Sequence, residues 1–133
     1  MPYLPDTNIC IYIIKKNPQS VLDKLTSIQP GEIGISMMTV AELQYGARKS
    51  ANPEKNFTAL SKFLIPFDLY DFKYSASIEY GIIRSSLETK GTPIGPLDTL
   101  IAAHAISLNF TLVTKNEREF QRVDGLKVEN WAL

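Results

Sequence analysis

The side chains of this sequence that could do chemistry together are four carboxylates, Asp6, Glu42, Asp98 and Glu119. Asp98 stands just after Gly95-Pro96, a helix-start signal, because proline at the first helical position lacks an N–H that would go unpaired anyway. The run behind it, Leu100 to Ala105, is apolar on almost every face, which predicts a helix buried on all sides. Phe110 to Val113 is short, apolar and rich in strand formers, the composition of a buried parallel strand. Its carboxyl end carries Thr114-Lys115-Asn116, and in open α/β sheets that edge is where ligands bind. Asp6 follows the strand-like Pro2-Tyr3-Leu4-Pro5, Glu42 falls in the helix after a second strand, and Glu119 follows the strand ending at Thr114. One sheet edge would then collect all four acids. Two carboxylates about 4 Å apart repel by roughly 4 kcal/mol at an effective dielectric near 20. Such a cluster needs a compensating charge, and a divalent cation with oxygen ligands is the usual one.

Each acid also has a purely structural use. Asp6 fits a helix cap, and Thr39-Val40-Ala41-Glu42 has the spacing of a capping box. Asp98 near a helix N-terminus is favoured by the macrodipole. Glu119, between Arg118 and Arg122, fits a solvated helix face. Burial makes an unpaired carboxylate expensive, so Asp6 and Asp98 are the harder two to explain this way. Four acids at one edge favour a site.

The elements that must position them alternate along the chain. Ile9 to Ile14 extends the first strand or starts a buried helix; the capping types Asp6, Thr7 and Asn8 favour the helix. Asn17-Pro18 breaks it, and Val21, Leu22, Leu25 and Ile28 give the next helix an apolar stripe. Pro30-Gly31 turns into a strand at Ile33–Ser36. A helix is expected from Thr39 to Lys49, closed near Gly46, and Pro53 opens another with Phe57, Leu60 and Phe63 inward. Leu64 to Asp68 reads as a third strand, with Pro66 marking an edge or a strand start. Tyr70 to Lys90 reads as a long amphipathic helix stopped by Gly91, Glu117 to Gln121 as a short one, and Leu126 to Trp131 as a final strand. This alternation predicts an α/β fold, a parallel sheet covered by helices on both faces.

Composition narrows the class. At 133 residues, 44% hydrophobic and 21% charged, the chain suits a single domain spanning 1–133 with a real core. Its formal net charge of zero predicts no bulk attraction to nucleic acid or membrane, leaving any such pull to a local patch or a bound cation. The lone Cys10 excludes an internal disulfide and suits a reducing, cytoplasmic setting. No basic start with a long apolar run and no stretch of membrane-spanning length occurs, so no membrane association is expected.

Taken in order, Asp6-Thr7-Asn8, Thr39-x-x-Glu42-Leu43 with Tyr45-Gly46, Gly95-Pro96-x-Asp98 with Leu100-Ile101-Ala102-Ala103-His104-Ala105, and Leu112-Val113-Thr114-x-Asn116-x-Arg118-Glu119-Phe120 resemble the PIN-domain family. More narrowly, the set resembles its VapC-type toxins of bacterial toxin–antitoxin pairs, nearly end to end. The resemblance implies a PIN-like three-layer α/β/α sandwich with a five-stranded parallel sheet. It implies a Mg²⁺- or Mn²⁺-dependent endoribonuclease, a homodimer, a cognate antitoxin that blocks the site, and an RNA substrate such as tRNA. Asp6, Glu42, Asp98 and Glu119 match the family's acidic quartet; Thr7, Asn8, Thr114 and Asn116 match polar positions around it. Asp6 and Asp98 are then expected as direct or water-bridged metal ligands, with Glu42 and Glu119 holding bound waters. Lys15, Lys16, Arg48, Arg84 and Lys115 are available to contact the phosphate backbone. Apolar helices at 21–28 and 53–63 are expected to line the antitoxin groove. One departure is Pro5, where the family usually has an aliphatic residue; a proline there removes a ladder donor beside Asp6. That departure supports a second reading, a PIN-like scaffold with weakened catalysis that serves as an antitoxin-binding or regulatory module. A receiver-like α/β domain is disfavoured, because its chemistry needs a lysine at the carboxyl end of a late strand and only Lys115 comes near.

Overall fold

A computed structural model describes residues 2–133. Its strands are β1 (Tyr3–Pro5), β2 (Gly34–Ser36), β3 (Asp68–Tyr70), β4 (Thr111–Val113) and β5 (Val128–Glu129). Its helices are α1 (Thr7–Lys15), α2 (Gln19–Thr26), α3 (Met37–Arg48), α4 (Pro53–Leu64), α5 (Tyr74–Thr89), α6 (Pro96–Leu108) and α7 (Glu117–Phe120), with a 3₁₀ turn at Pro30–Glu32. All the pairings are parallel. In place of one continuous five-stranded sheet, a three-stranded ladder β1-β4-β5 and a two-stranded ladder β2-β3 form, and a single bridge between Tyr3 and Ile33 joins them. The resulting order, β3-β2-β1-β4-β5, reverses direction between β1 and β4, and that gap is the switch point where such sheets bind ligands.

Pro5 explains why the two ladders meet at one bridge only. The Asp6 N–H bonds the Val113 carbonyl at 2.9 Å, and main-chain groups alternate in direction along a strand. The N–H that Pro5 lacks would therefore point toward β2, not β4. The β1–β4 register (Leu4 with Leu112, Pro5 with Val113) and the position of Asp6 are untouched by it. The buried Cys10 thiol lies 3.9 Å from the Pro5 carbonyl.

Side chains alternate across the sheet and build two cores. Ile33, Ile35 and Val113 pack with Ile9, Ile13, Val21, Val40, Leu43 and Leu60 from the first four helices. Leu4 and Leu112 pack on the opposite face with Ile83, Leu87, Ile101, Ala102 and Ala105 of α5 and α6. α6 is buried over Ile101–Ala105, as its all-round apolar sequence predicts, while Leu97 in its first turn is exposed. No helix among the described residues is long and apolar enough to cross a membrane.

Several expected boundaries move. α3 starts at Met37, because Ser36 caps it by accepting from the Met38 N–H at 3.1 Å. Thr39-x-x-Glu42 is therefore no capping box, and the Thr39 hydroxyl is buried without a partner among the described residues. Gly46 does not close the helix, which continues to Arg48. The third strand is Asp68–Tyr70 and not 64–68: Leu64 still belongs to α4, and a turn bond from the Phe67 N–H to the Leu64 carbonyl carries the chain past Pro66. Pairing of Leu69 and Tyr70 with β2 then delays α5 to Tyr74. The last strand is Val128–Glu129 only.

Gly34 is required by close approach. A Cβ there would stand 2.5 Å from Tyr70 Cε2, and Tyr70 is itself held edge-on to Phe110 at 5.1 Å between centroids. Gly34→Ala should cost about 1–3 kcal/mol through overpacking. The measurement is a lower urea midpoint at unchanged m-value; an unchanged midpoint would mean that the Tyr70 ring swings away freely.

Candidate metal and nucleic-acid site

The site assembles at the switch point because three elements end or begin there. Asp6 is the residue between β1 and α1, and its carboxylate caps that helix by accepting from the Ile9 N–H at 3.0 Å. The structural use expected for Asp6 is thus real, and it leaves the rest of the carboxylate facing the cleft. The buried Thr114, at the end of β4, hydrogen-bonds Asp6 through its side chain. The Thr114 hydroxyl also accepts from the Asn116 N–H at 3.0 Å, and its own N–H is fixed to the Glu129 carbonyl at 2.9 Å. Thr7 Oγ1 donates to Glu42 Oε1 at 2.7 Å, tying the first turn of α1 to α3. That bond replaces the capping role for Glu42.

Asp98 lies in the first turn of α6, whose N-cap is Gly95 with no side-chain cap. It is half-buried and its carboxyl is pushed up to about 6, first by burial and then by Glu119, Asp6 and Glu42. Glu119 adds to the upward push a second time, as the smallest contribution, through its side chain against Asp98. Burial also raises Asp6, followed by the charge of Glu42, while Thr114 and the Ile9 and Asn8 N–H groups pull it down. Asp6, Thr7, Asn8, Glu42, Leu97 and Asp98 line a polar cleft of about 120 Å³. Glu119 reaches this group from α7 through Asp98.

Buried His104 sits two turns further along α6, and its role is not evident from the sequence. Its Nε2–H donates to the Asp71 carbonyl at 3.1 Å, so Nδ1 is left to accept from the Ser36 hydroxyl at 2.8 Å. Burial pushes its pKa down, which keeps the ring neutral and this tautomer fixed. The same Ser36 oxygen caps α3. One imidazole therefore locks the helix carrying Asp98 to the helix carrying Glu42. The tell-tale in the sequence is a lone polar residue inside an otherwise apolar run.

The donor set suits a hard divalent cation. Every candidate ligand is a carboxylate, hydroxyl or amide oxygen, the surplus charge on Asp98 is what such an ion relieves, and no thiol or imidazole enters the cleft. Among the described residues no group of three or more His, Cys, Asp or Glu side chains is placed to hold a metal ion. Mg²⁺ does not require one, since it keeps several waters and binds through one or two carboxylates.

The basic residues scatter. Lys15 and Lys115 border a separate cavity together, and Lys16 is the exposed, left-handed C-cap of α1. Arg48 lies over the Phe57 ring at 5.3 Å, and Arg84 is bound to Glu88 and Tyr80 on α5. Neither arginine lines the acidic cleft. An apolar groove of about 300 Å³ lies between α1, α3 and α4. Ile11 and Ile14 of α1, Leu43, Gly46 and Ala47 of α3, and Ala59 and Leu60 of α4 line it, with Glu42 and Lys15 at its border. α4 contributes as expected, but α2 turns its apolar stripe into the core at Val21 and Leu25.

Residues 3–126 match the PIN-domain family. The chain is 42% identical over 132 residues to the tRNA(fMet)-specific endonuclease VapC of Shigella flexneri, covering 99% of each. It is 46% identical over 132 residues to ribonuclease VapC2 of Rickettsia felis, covering 98% of each. In the crystal structure of VapBC2 from Rickettsia felis bound to a DNA fragment from their promoter, one chain superposes with a TM-score of 0.92 at 44% identity, over 98% of this chain and 99% of that one. With its ordered acids at the switch point of a parallel sheet, the chain belongs to the PIN-domain family, among the VapC-type ribonucleases.

Proposed function

We propose that this chain is a Mg²⁺- or Mn²⁺-dependent endoribonuclease toxin, restrained by a cognate antitoxin and acting as a homodimer. The observation that carries the reading is the cleft at the switch point, where Asp6, Glu42 and Asp98 share one lining and where burial, then Glu119, Asp6 and Glu42, push the Asp98 carboxyl up. A fold does not maintain such repulsion for stability. Asp6 and Asp98 would hold the cation, directly or through water, while Glu42 and Glu119 orient water around it. A bound cation would supply an acidified water and neutralise charge on the phosphoryl oxygens. The chain's own part is positioning: Thr114 and the Ile9 N–H fix Asp6, and Thr7 fixes Glu42. Asn8 lines the cleft and offers an amide to a phosphate oxygen. Pro5 does not favour the weakened-scaffold reading, because Asp6 keeps its bond to Val113.

The name of the Shigella flexneri relative makes a folded tRNA the first substrate to try. Purified protein should cut tRNA with Mn²⁺ present and leave it whole with a chelator. Equal cleavage in both, or cleavage in neither, refutes the reading. Light scattering of the same preparation should return twice the chain mass of 14.9 kDa.

The antitoxin is assigned to the apolar groove between α1, α3 and α4, which an amphipathic helix fits by apolar anchors. Glu42 at its border allows a basic antitoxin side chain to reach the acids. Gly46 tests this, since a side chain there meets nothing within 4 Å and would project without clashing. Gly46→Arg should keep the fold, gain about 0.5–1 kcal/mol of helix propensity, and lose co-purification with a co-expressed antitoxin. Retained co-purification would put the partner elsewhere.

A further inference from the structure

A second cavity, about 360 Å³, shares no lining residue with the acidic cleft and has a different chemistry. Tyr12, Lys15, Asn17, Pro18, Lys115 and Ala132 line it. Its volume falls within the roughly 300–1,000 Å³ of small-ligand clefts. The cavity combines two lysines with an aromatic face and has no acidic lining residue. Lys115 Nζ lies over the Tyr12 ring, 5.9 Å from its centroid. Neither Lys15 nor Lys115 forms an ion pair among the described residues. The chain is neutral overall, so a hollow lined by two lysines and no acid is a local concentration of positive charge.

The hollow is also tied to the acids by covalent neighbours. Lys115 sits between Thr114, whose side chain holds Asp6, and Asn116. Tyr12 and Lys15 lie on α1, the helix that starts at Asp6 and Thr7. Lys115 follows the residue that holds Asp6, so a polyanion with a reacting phosphate at the acidic cleft can continue toward this cavity. Unpaired cations plus an aromatic face are what single-stranded nucleic acid recognises, the cations tracking phosphate and the ring stacking a base. An acidic peptide would use the lysines but leave the ring without a partner.

Resting on the ribonuclease reading above, the geometry points to this cavity as a subsite for one unpaired nucleotide of the RNA, next to the phosphate that is cut. Its base lies against Tyr12, its phosphate engages Lys15 and Lys115, and Asn17 faces the base edge or the ribose hydroxyl.

The test uses fluorescein-labelled octauridylate and the full chain, by anisotropy, with EDTA present so that cleavage does not intervene. Lys15→Gln and Lys115→Gln should each weaken binding about three- to tenfold near physiological salt and lower the slope of log K against log salt by roughly 0.7. Tyr12→Leu should weaken it about tenfold, while Tyr12→Phe, which keeps the stacking face, should bind like wild type. Tyr12 also packs on the core, so its variants are compared only at matched melting temperature; the lysines are exposed and test the site without touching packing. Unchanged affinity and slope in both lysine variants overturns the subsite. Wild-type cleavage of tRNA with Mn²⁺ is measured in parallel, so the two readings fail separately. Lysine-dependent binding without cleavage refutes the nuclease and leaves the subsite; cleavage with lysine-independent binding does the reverse.

Discussion

Asp98→Asn should abolish RNA cleavage, lowering the rate at saturating Mn²⁺ by at least about 10³-fold, while the protein stays folded. The substitution keeps shape and hydrogen-bonding capacity and removes only the charge. A loss of 10³ corresponds to about 4 kcal/mol of transition-state stabilisation, within what a bound cation contributes to phosphoryl chemistry. Asp98 is the right residue for this test because it is half-buried in the cleft and Glu119, Asp6 and Glu42 all act on it. It makes no capping bond, since α6 is capped by Gly95 without a side chain. The burial of α6 begins at Thr99 and rests on Ile101 to Ala105, so the helix does not depend on Asp98 for packing. The measurement is single-turnover cleavage of tRNA with far-UV circular dichroism as the control for folding. Cleavage near the wild-type rate would remove Asp98 from the machinery and return it to an ornament of the helix start.

How far the sequence disclosed this arrangement differs from residue to residue. Strands and buried helices were legible because burial leaves a direct trace: β4 and α6 are apolar runs bounded by turn and capping residues. The acids at the sheet edge were legible because strand ends are where unpaired charge is tolerated. Boundaries were harder wherever two local signals competed. Ser36 and Thr39 are both capping types, and only the β2–β3 pairing, which holds the chain extended through Ser36, decides between them. Leu64-Ile65-Pro66 looks strand-like, yet Leu64 also completes the apolar stripe of α4. The Thr7–Glu42 bond spans 35 residues and His104–Ser36 spans 68, so no local pattern could disclose either. The α2 stripe is a similar case: it is genuine, but that it turns into the same core as Ile13 and Val113 is a tertiary fact.

Stability without metal should fall as pH rises through the range that ends near the Asp98 value. In the folded protein that carboxyl is raised from 3.8 to about 6. Below about 3.8 both folded and unfolded chains hold the proton, and the group makes no difference. Between the two values the unfolded chain releases its proton while the folded chain retains it, so the folded state binds more protons and loses stability with each step in pH. Above about 6 both have released it and the full cost is present. A shift of this size is about 3 kcal/mol at face value, and nearer 1–2 kcal/mol for a half-exposed group screened by solvent. Asp6, raised in the same direction, adds to the trend. Mn²⁺ at neutral pH should reverse it, because a ligand that binds only the native state stabilises by mass action, about 2.7 kcal/mol at a hundredfold excess over its dissociation constant. Asp98→Asn should then be more stable than wild type without metal at pH 7.5, flatter in its response between pH 4 and 6.5, and less responsive to Mn²⁺. Scanning calorimetry of both proteins over that range, with and without Mn²⁺, reads all three signs. If the metal-free mutant melts below wild type at pH 7.5, the charge of Asp98 stabilises the fold. The repulsion among the four acids would then be too weak to call for a cation.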